Sequence, residues 1–509
     1  MPIGRHPHVR NVTLRLGKRE AQVLNNDAVT LKPTSSVYRS TPQNDRWLLV
    51  ALLIFIAIAP LPLGSNRPLP MALLGCYAAL LLIWWSILLG LNRTTAHQQF
   101  RSLRWPMLLY LAVCAWIAIQ ALPGLSAPLA DAIWQSTESI INTVLPKHMS
   151  VNPEASITGL SHLLTYGIVF WLAFQLTQTQ KRAWAVIRVI SAIGCIYALY
   201  GIIIYMTGNG WILIYPKWSY QNSLTSTFVN RNSYATFAGL GLICAVVLLL
   251  NHMTPYFALK HPIRAKIVII VEELLAKSAW KAFSVVAIAI SLLLSTSRGG
   301  LASSLIGLLA IALIYLAQQK LRLSGIIYTA AIVISLAITV FLASGNFVSQ
   351  RFETDQVDSS FTFRFNMYAL TWDAITTAPL KGTGFGTYTD VIPAYKEPGS
   401  ALQFWDKAHN SYLENALELG LPAAFLLNMA IGLIALRTVV GAVRRKRNKL
   451  LPALGIGATI LVGIHSLVDF SLQIPAVTIL YACIMGVAAS QSWSQKSSST
   501  TDYGRSSRP

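Results

Sequence analysis

Arg298 is the residue whose position in this sequence most clearly predicts a functional role. It lies in the segment STSRGG at positions 295–300, a turn between two apolar runs of membrane-spanning length. A charge at headgroup depth is costly unless a partner or a water-filled cavity receives it. The adjacent glycines indicate close approach of backbone or ligand, which predicts a binding role. The alternative is an arginine that extends its side chain to the membrane interface without a specific function.

Two further arginines are candidates for binding. Arg364 begins a predicted helix in a long loop, and Arg231 precedes Asn232 and Ser233, one of which is expected to cap the next helix. Arg231 and Asn232 are therefore predicted substrate-binding residues. Either arginine could instead be an ordinary solvated side chain.

His409 is the candidate general base. It opens the segment HNSYLEN, where Ser411 and Glu414 have capping-box spacing, so a helix is predicted to begin with Ser411 as its N-cap. The positive end of that helix disfavours a protonated imidazole just ahead of it. A neutral histidine at the boundary between water and membrane can accept a proton from a substrate.

Four more ionisable residues are predicted to contribute to the same site. Glu414 and Glu418 lie one turn apart and could orient the histidine, pair with an arginine or simply stabilise the helix start. His465 and Asp469 lie four residues apart at the end of another apolar run. Metal binding is not expected, because no histidine cluster accompanies Asp355 and Asp358, and no cofactor is predicted.

The elements that must position these residues are membrane helices. Of the 509 residues only 12% are charged and 54% are hydrophobic, which excludes a soluble globular domain, a disordered chain and a disulfide scaffold. The apolar runs have the length that crosses a hydrocarbon core of ~30 Å. An all-α polytopic membrane protein is therefore predicted. Its twelve spans are 47–64, 68–91, 105–122, 156–176, 184–206, 233–252, 281–296, 300–317, 325–344, 413–436, 450–467 and 472–490.

Charge placement predicts the orientation of these spans. With the N-terminus in the cytoplasm, 30 of the 40 lysines and arginines fall in cytoplasmic segments, as the positive-inside rule requires. The net charge of +21 then reflects membrane topology, and no nucleic-acid partner is predicted. Residues 1–46 and 491–509 are expected to be cytoplasmic tails. The segments 47–344 and 413–490 hold the spans, and 345–412 is predicted to be a folded, aromatic-rich external loop in which a helix covers 361–378.

Three motifs in this order resemble the O-antigen ligase and polymerase superfamily of bacterial envelope glycosyltransferases, with the core of the resemblance at about 225–440. They are TSRGG at 296–300, then Arg364 with Trp372, Pro379 and the GTGFG turn at 382–386, then HNSYL at 409–413 with Glu418 and Gly420. The resemblance implies a metal-independent, inverting transfer of a glycan from an undecaprenyl-diphosphate carrier to an acceptor hydroxyl. Arg298 and Arg364 would bind the diphosphate and His409 would activate the acceptor. Guanidinium groups suit phosphate oxygens because they form two parallel hydrogen bonds.

The resemblance also implies a location and partners. The enzyme would lie in the bacterial inner membrane, surrounded by membrane lipids, with its active site facing the periplasm. The acceptor would be lipid A–core for a ligase or a growing glycan for a polymerase, and a polymerase would work with a chain-length regulator. A twelve-span transporter or a lipid-linked oligosaccharide flippase is the alternative. It is disfavoured because the polar residues lie at span ends and not at mid-membrane.

Overall fold

The computed structural model describes residues 45–97, 99–124, 127–257, 262–276, 278–318, 355–396, 406–445 and 448–493. Nearly all of the elements in these ranges are helices. The α-helices are α1 Arg46–Ile58, α2 Pro68–Gly90, α3 Arg104–Ala121, α4 Ala132–Ile141, α5 Pro153–Leu176, α6 Gln180–Met206, α7 Arg231–Phe257, α8 Ile263–Ala276, α9 Ala279–Leu294, α10 Arg298–Gln318, α11 Asp355–Thr377, α12 Tyr388–Val391, α13 Ser411–Leu419, α14 Leu421–Arg444, α15 Leu450–His465 and α16 Pro475–Ser490. Short 3₁₀ turns occupy Leu63–Ser65, Phe100–Leu103, Ala127–Leu129, Ile392–Tyr395 and Ser471–Gln473. Strands β1 Trp211–Ile212 and β2 Tyr215–Pro216 form a small antiparallel hairpin.

The helices are those of a polytopic membrane protein. Among the described residues, seven are long and apolar enough to cross a membrane, and the count is eight if the bent pair α8 and α9 is one span. Helices α1, α15 and α16 are apolar but shorter. Ten of the twelve predicted spans each coincide with one main helix, 413–436 covers two helices, and 325–344 lies outside the described residues. The all-helical membrane fold is thus confirmed, and the number twelve stays a prediction.

Helix α7 is the central helix of the bundle. In its most apolar stretch 83% of the residues are buried, against 28% for α2, α14 and the stretch containing α3. It packs against α6, α9, α10 and α15. The peripheral helices leave large apolar side chains exposed, for example Leu80 and Ile203, which a bilayer would cover. Because Arg231 is the first residue of α7, the centre of the bundle directly positions one of the predicted site residues.

The external loop predicted at 345–412 is folded where the structure describes it. We call its described part, residues 355–396 and 406–412, the cap. Met367 and Tyr388 of the cap are buried in a hydrophobic cluster with Val113 of α3 and Leu417 of α13. Helix α11 ends at Thr377, just before Pro379, as predicted, although it begins six residues earlier than expected. The cap is therefore packed onto the helix bundle.

The predicted span 413–436 is wrong, because it consists of two helices separated at Gly420. Helix α13 ends at Leu419 and α14 begins at Leu421, while Gly420 has φ 79° and ψ 155°, a conformation open essentially only to glycine. Pro422 cannot donate the hydrogen bond that a continuous helix would need at the Glu418 carbonyl. That carbonyl instead accepts from Gln120 Nε2 and from the amide of Gly384.

Two predicted helix caps are also wrong by one or a few residues. Asn410, not Ser411, caps α13, because its side chain accepts hydrogen bonds from the amides of Tyr412 and Leu413. Asn230 caps α7 in the same way through the amides of residues 232 and 233. Asn410 can take the cap of α13 because asparagine is at least as good an N-cap as serine. Helix α7 begins at Arg231, so its cap falls on Asn230 and not on Asn232 or Ser233.

Candidate functional site

Arg231, Arg298 and Arg364 converge at one end of the bundle, and we call them the arginine cluster. Two of them are the first residues of α7 and α10, and Arg364 lies on α11 of the cap. The guanidinium group of Arg231 interacts electrostatically with both other arginines and with Asp469. Three positive groups repel one another, and Asp469 compensates only part of their charge. The arrangement therefore favours an anionic ligand.

Arg231 is held firmly by neutral partners. Its Nη1 atom donates hydrogen bonds to Thr296 Oγ1 at 3.0 Å and to Ser223 Oγ at 3.3 Å. Its guanidinium carbon lies 5.4 Å from the centre of the Tyr220 ring. The Nε atom is buried and has no hydrogen-bond partner among the described residues. A buried donor of this kind costs roughly 1–3 kcal/mol when unsatisfied, so it is suited to a ligand oxygen.

The turn before Arg298 is fixed by Asn232. Ser297 Oγ donates to Asn232 Oδ1 at 2.8 Å, and the Gly300 amide donates to Ser297 Oγ at 3.2 Å. Asn232 thus holds the turn that presents Arg298.

The two glycines after Arg298 allow neighbouring helices to approach, as the sequence predicted. A Cβ atom added at Gly299 would lie 3.2 Å from the ring of His465, and one at Gly300 would lie 2.5 Å from Ala235 Cβ. At Gly300 a side chain would require neighbouring atoms to shift, whereas at Gly299 it would fit only if the His465 ring moved by a few tenths of an ångström.

His409 lies against Asp469. Its Nδ1 atom is 3.4 Å from Asp469 Oδ1, longer than a normal hydrogen bond, and its ring packs edge-on against Phe470. Burial acts to raise the pKa of the Asp469 carboxyl, but His409, His465 and the Phe470 amide outweigh it, so the pKa falls below its ordinary value. An ionised carboxylate that faces Nδ1 leaves Nε2 of His409 as the atom available for proton transfer.

His465 belongs to a buried network on the other side of Asp469. Its Nε2 atom is 3.9 Å from Asp469 Oδ2. Its Nδ1 atom is 2.6 Å from Thr236 Oγ1 and 3.2 Å from Ser471 Oγ. The side chains of His465 and Asp469 are therefore neighbours in the structure, as the sequence predicted. Asp469, however, lies closer to His409 than to His465.

Glu414 and Glu418 are buried and bind groups of the protein. Glu414 accepts hydrogen bonds from Lys407 Nζ at 3.2 Å and from the Ala408 amide at 2.8 Å, which fixes the chain immediately before His409. Glu418 accepts from the Tyr388 amide at 3.0 Å. Burial acts to lower the pKa of Lys407, but the two glutamates outweigh it and raise this pKa. Burial and the neighbouring Glu414 raise the pKa of Glu418.

Several residues that the sequence did not single out help to build the site. The Tyr368 hydroxyl lies within hydrogen-bond distance of the carbonyls of His409 and Leu467. Because Tyr368 is one turn after Arg364, α11 both carries an arginine and contacts the histidine segment. The sequence could have indicated Tyr368, because it lies four residues after Arg364 and so on the same face of the predicted helix. Lys217 is a second residue that the sequence did not single out. It is buried, donates hydrogen bonds to Asn209 Oδ1 and to the Ser223 carbonyl, and has its pKa lowered by burial to about 8. No local sequence pattern marks this lysine as part of the site.

Comparison with known proteins supports the resemblance that the motifs suggested. No curated protein matches the chain. Residues 283–428 match a family model described as O-antigen ligase. This segment contains Arg298, Arg364 and His409, whereas Arg231, His465 and Asp469 lie outside it. The match confirms that the chain resembles the O-antigen ligase and polymerase superfamily, and residues 283–428 are the segment that the family model covers.

Proposed function

We propose that this protein is an integral membrane glycosyltransferase that transfers a glycan from undecaprenyl diphosphate to a sugar hydroxyl of an acceptor. The reaction takes place at the periplasmic face of the bacterial inner membrane. The observation that carries the proposal is the arginine cluster, which shares Asp469 with His409. The O-antigen ligase match over 283–428 supports glycan transfer by a membrane enzyme.

The arginine cluster is the proposed diphosphate site. A diphosphate leaving group carries negative charge that increases in the transition state, and preorganised guanidinium groups stabilise such charge. Arg298 and Arg364 bind the phosphate oxygens, and Arg231 adds the buried Nε donor that has no partner among the described residues. The proposed reaction takes its positive charge from these arginines and requires no metal ion.

His409 is the proposed general base and Asp469 its positioning residue. The acceptor oxygen attacks the anomeric carbon, and its proton moves to Nε2 of His409. The bond from the anomeric carbon to the diphosphate oxygen breaks, and undecaprenyl diphosphate leaves with the electron pair. This single displacement inverts the anomeric carbon. Asp469 holds the imidazole by its Nδ1 side and stabilises the imidazolium that forms.

The test is a transfer assay with purified protein in detergent and an undecaprenyl-diphosphate glycan as donor. Lipid A–core as acceptor tests ligase activity, and a second molecule of lipid-linked glycan tests polymerase activity. We expect free undecaprenyl diphosphate and a glycosylated acceptor, in EDTA as well as without it. Intact movement of the donor across a vesicle membrane, without cleavage, would establish a flippase instead. Activity lost in EDTA and restored by magnesium would refute the metal-free mechanism.

A further inference from the structure

The end of the bundle opposite the arginine cluster contains a cavity of about 440 Å³. Its distance from Arg231 follows from α7: His252 is 21 residues further along this helix, which at 1.5 Å per residue corresponds to roughly 30 Å. The cavity lies between the beginnings of α6 and α9 and the end of α7. Its polar and aromatic lining consists of Trp184, Arg188, Asn251, His252, Trp280 and Lys281.

Two like charges face this cavity. Arg188 and Lys281 interact unfavourably with each other, and neither forms an ion pair with a carboxylate in the described part of the chain. Glu273 attracts Lys281 electrostatically, but its carboxylate is bonded to His252 Nε2 at 2.9 Å. The lining therefore has an excess of positive charge, which an anion would compensate.

The cavity adjoins an apolar face of α9. Trp280 lines the cavity, is 40% exposed and begins a row of exposed apolar side chains that continues at helical spacing through Phe283, Val286, Ile290 and Leu293. Tryptophan is typical of the membrane–water interface, and such a row on a membrane helix faces acyl chains. The charged cavity thus lies where headgroups begin, beside a surface suited to lipid tails.

We propose that this cavity binds the phosphate headgroup of an acidic membrane phospholipid. Arg188 and Lys281 contact the phosphate, Asn251 lies within the same lining, and the acyl chains lie along the exposed face of α9. Basic pockets between membrane helices bind anionic headgroups in this way. A volume of about 440 Å³ is in the range of small-molecule sites. The proposal is independent of the transferase activity, because the cavity lies at the other end of the bundle.

The experiment measures lipid binding to the full-length protein, purified and delipidated in a neutral detergent. Phosphatidylglycerol or phosphatidylcholine is titrated, and bound lipid is counted by native mass spectrometry, with thermal stability as a second readout. We expect phosphatidylglycerol to bind the unmodified protein about 10-fold or more tightly than phosphatidylcholine, since charge-assisted hydrogen bonds have that effect on affinity. The double variant Arg188→Gln, Lys281→Gln should lose this preference.

The matched control is Lys181→Gln. Lys181 is an exposed lysine at the start of α6, the helix of Arg188, and it does not line the cavity. It should keep the preference, as should the charge-conserving variant Arg188→Lys, Lys281→Arg. Equal binding of phosphatidylglycerol by the unmodified protein and the double glutamine variant would overturn the proposal. So would an equal effect of inorganic phosphate, which would show that the site takes a free anion. If the double variant does not fold, Lys281→Gln alone decides the same question.

Discussion

At the scale of single residues, the arginines of the site differ from other arginines in their surroundings. Arg298 and Arg364 lie in the arginine cluster, whereas Arg67 is exposed and lies 6.0 Å from the Trp218 ring. Changing Arg298 or Arg364 to Ala should reduce transfer about 10-fold or more, because each charge-assisted hydrogen bond to phosphate contributes roughly 1.5–3 kcal/mol. Lysine should rescue only partly, since it supplies a point charge without the planar fork.

Arg67→Ala is the matched control and should transfer normally. Glycan transfer is measured with each variant at equal protein level in the membrane. Full activity of a well-expressed Arg298→Ala protein would contradict the diphosphate site.

His409 and Asp469 should act as one unit. His409→Ala should lose about 10²–10⁴-fold in turnover, the usual contribution of a general base, and Asp469→Asn should lose part of that. The double variant should be no slower than His409→Ala alone, because a positioning residue has no effect once the base is absent. Asp469→Glu should restore some activity. Turnover of purified variants in the transfer assay measures these values.

His148→Ala changes a histidine whose Nδ1 atom lies within hydrogen-bond distance of the Ala121 carbonyl, and provides the control for histidine removal. Losses that multiply in the double variant would show that Asp469 acts independently of His409, for example by holding the fold.

Much of the candidate site could be proposed from the sequence at this scale, but its pairings could not. Arg298 and His409 are candidates by sequence because a charge near headgroup depth and a histidine ahead of a helix are visible there. The spacing of four residues paired Asp469 with His465. In the structure Asp469 also contacts His409, since the Ser411 amide donates to the Ser466 carbonyl and brings two distant segments together. Such a contact depends on helix packing and leaves no local pattern.

At the scale of elements, the break at Gly420 positions the histidine segment. Gly420→Ala should lower thermal stability and transfer together. A side chain is strained at φ 79°, ψ 155°, at a cost of about 1–3 kcal/mol, and its Cβ would collide with the Leu380 carbonyl. Thermal unfolding in detergent and transfer activity are the two measurements.

Gly432→Ala is the control from the same region. Gly432 lies within α14, and nothing lies within 4 Å of an added Cβ. Alanine there should leave stability unchanged or raise it slightly, because alanine favours helix. Equal stability of the two variants would show that the break does not depend on glycine.

The elements were predictable wherever hydropathy determines them. Apolar runs gave the positions of ten spans, and Pro379 gave the end of α11. The run from 413 to 436 concealed the break, because Gly420 and Pro422 are compatible with an apolar segment by composition. The structure adds that a Cβ atom at Gly420 would lie 2.4 Å from the Leu380 carbonyl oxygen of the cap, which explains why only glycine fits at the break.

At the scale of the whole molecule, we predict that the cap and the basic turn after α14 lie on opposite sides of the membrane. The cluster RRKR at 444–447 resists translocation, so it should remain in the cytoplasm. Reporter fusions after Ser359 and after Asn448, each tested for activity on either side, should give opposite results. If both reporters lie on the same side, the predicted topology and the proposed periplasmic location of the site are wrong. Fusion abundance, measured by immunoblot, is the control.

The candidate site is distributed over separated segments of the chain, which limits what an exchange of one segment can transfer. Residues 283–428 match the O-antigen ligase model, yet His409 lies 3.4 Å from Asp469 across its boundary, and a Cβ atom added at Gly299 would lie 3.2 Å from the His465 ring. A chimera that takes only 283–428 from another protein that matches this model would combine a proposed base and a carboxylate from two different proteins. We expect such a chimera to fold but transfer poorly, and to recover when 220–236 and 460–475 come from the same donor. The heritable unit of activity is then a set of three separated segments, which would have to be exchanged together.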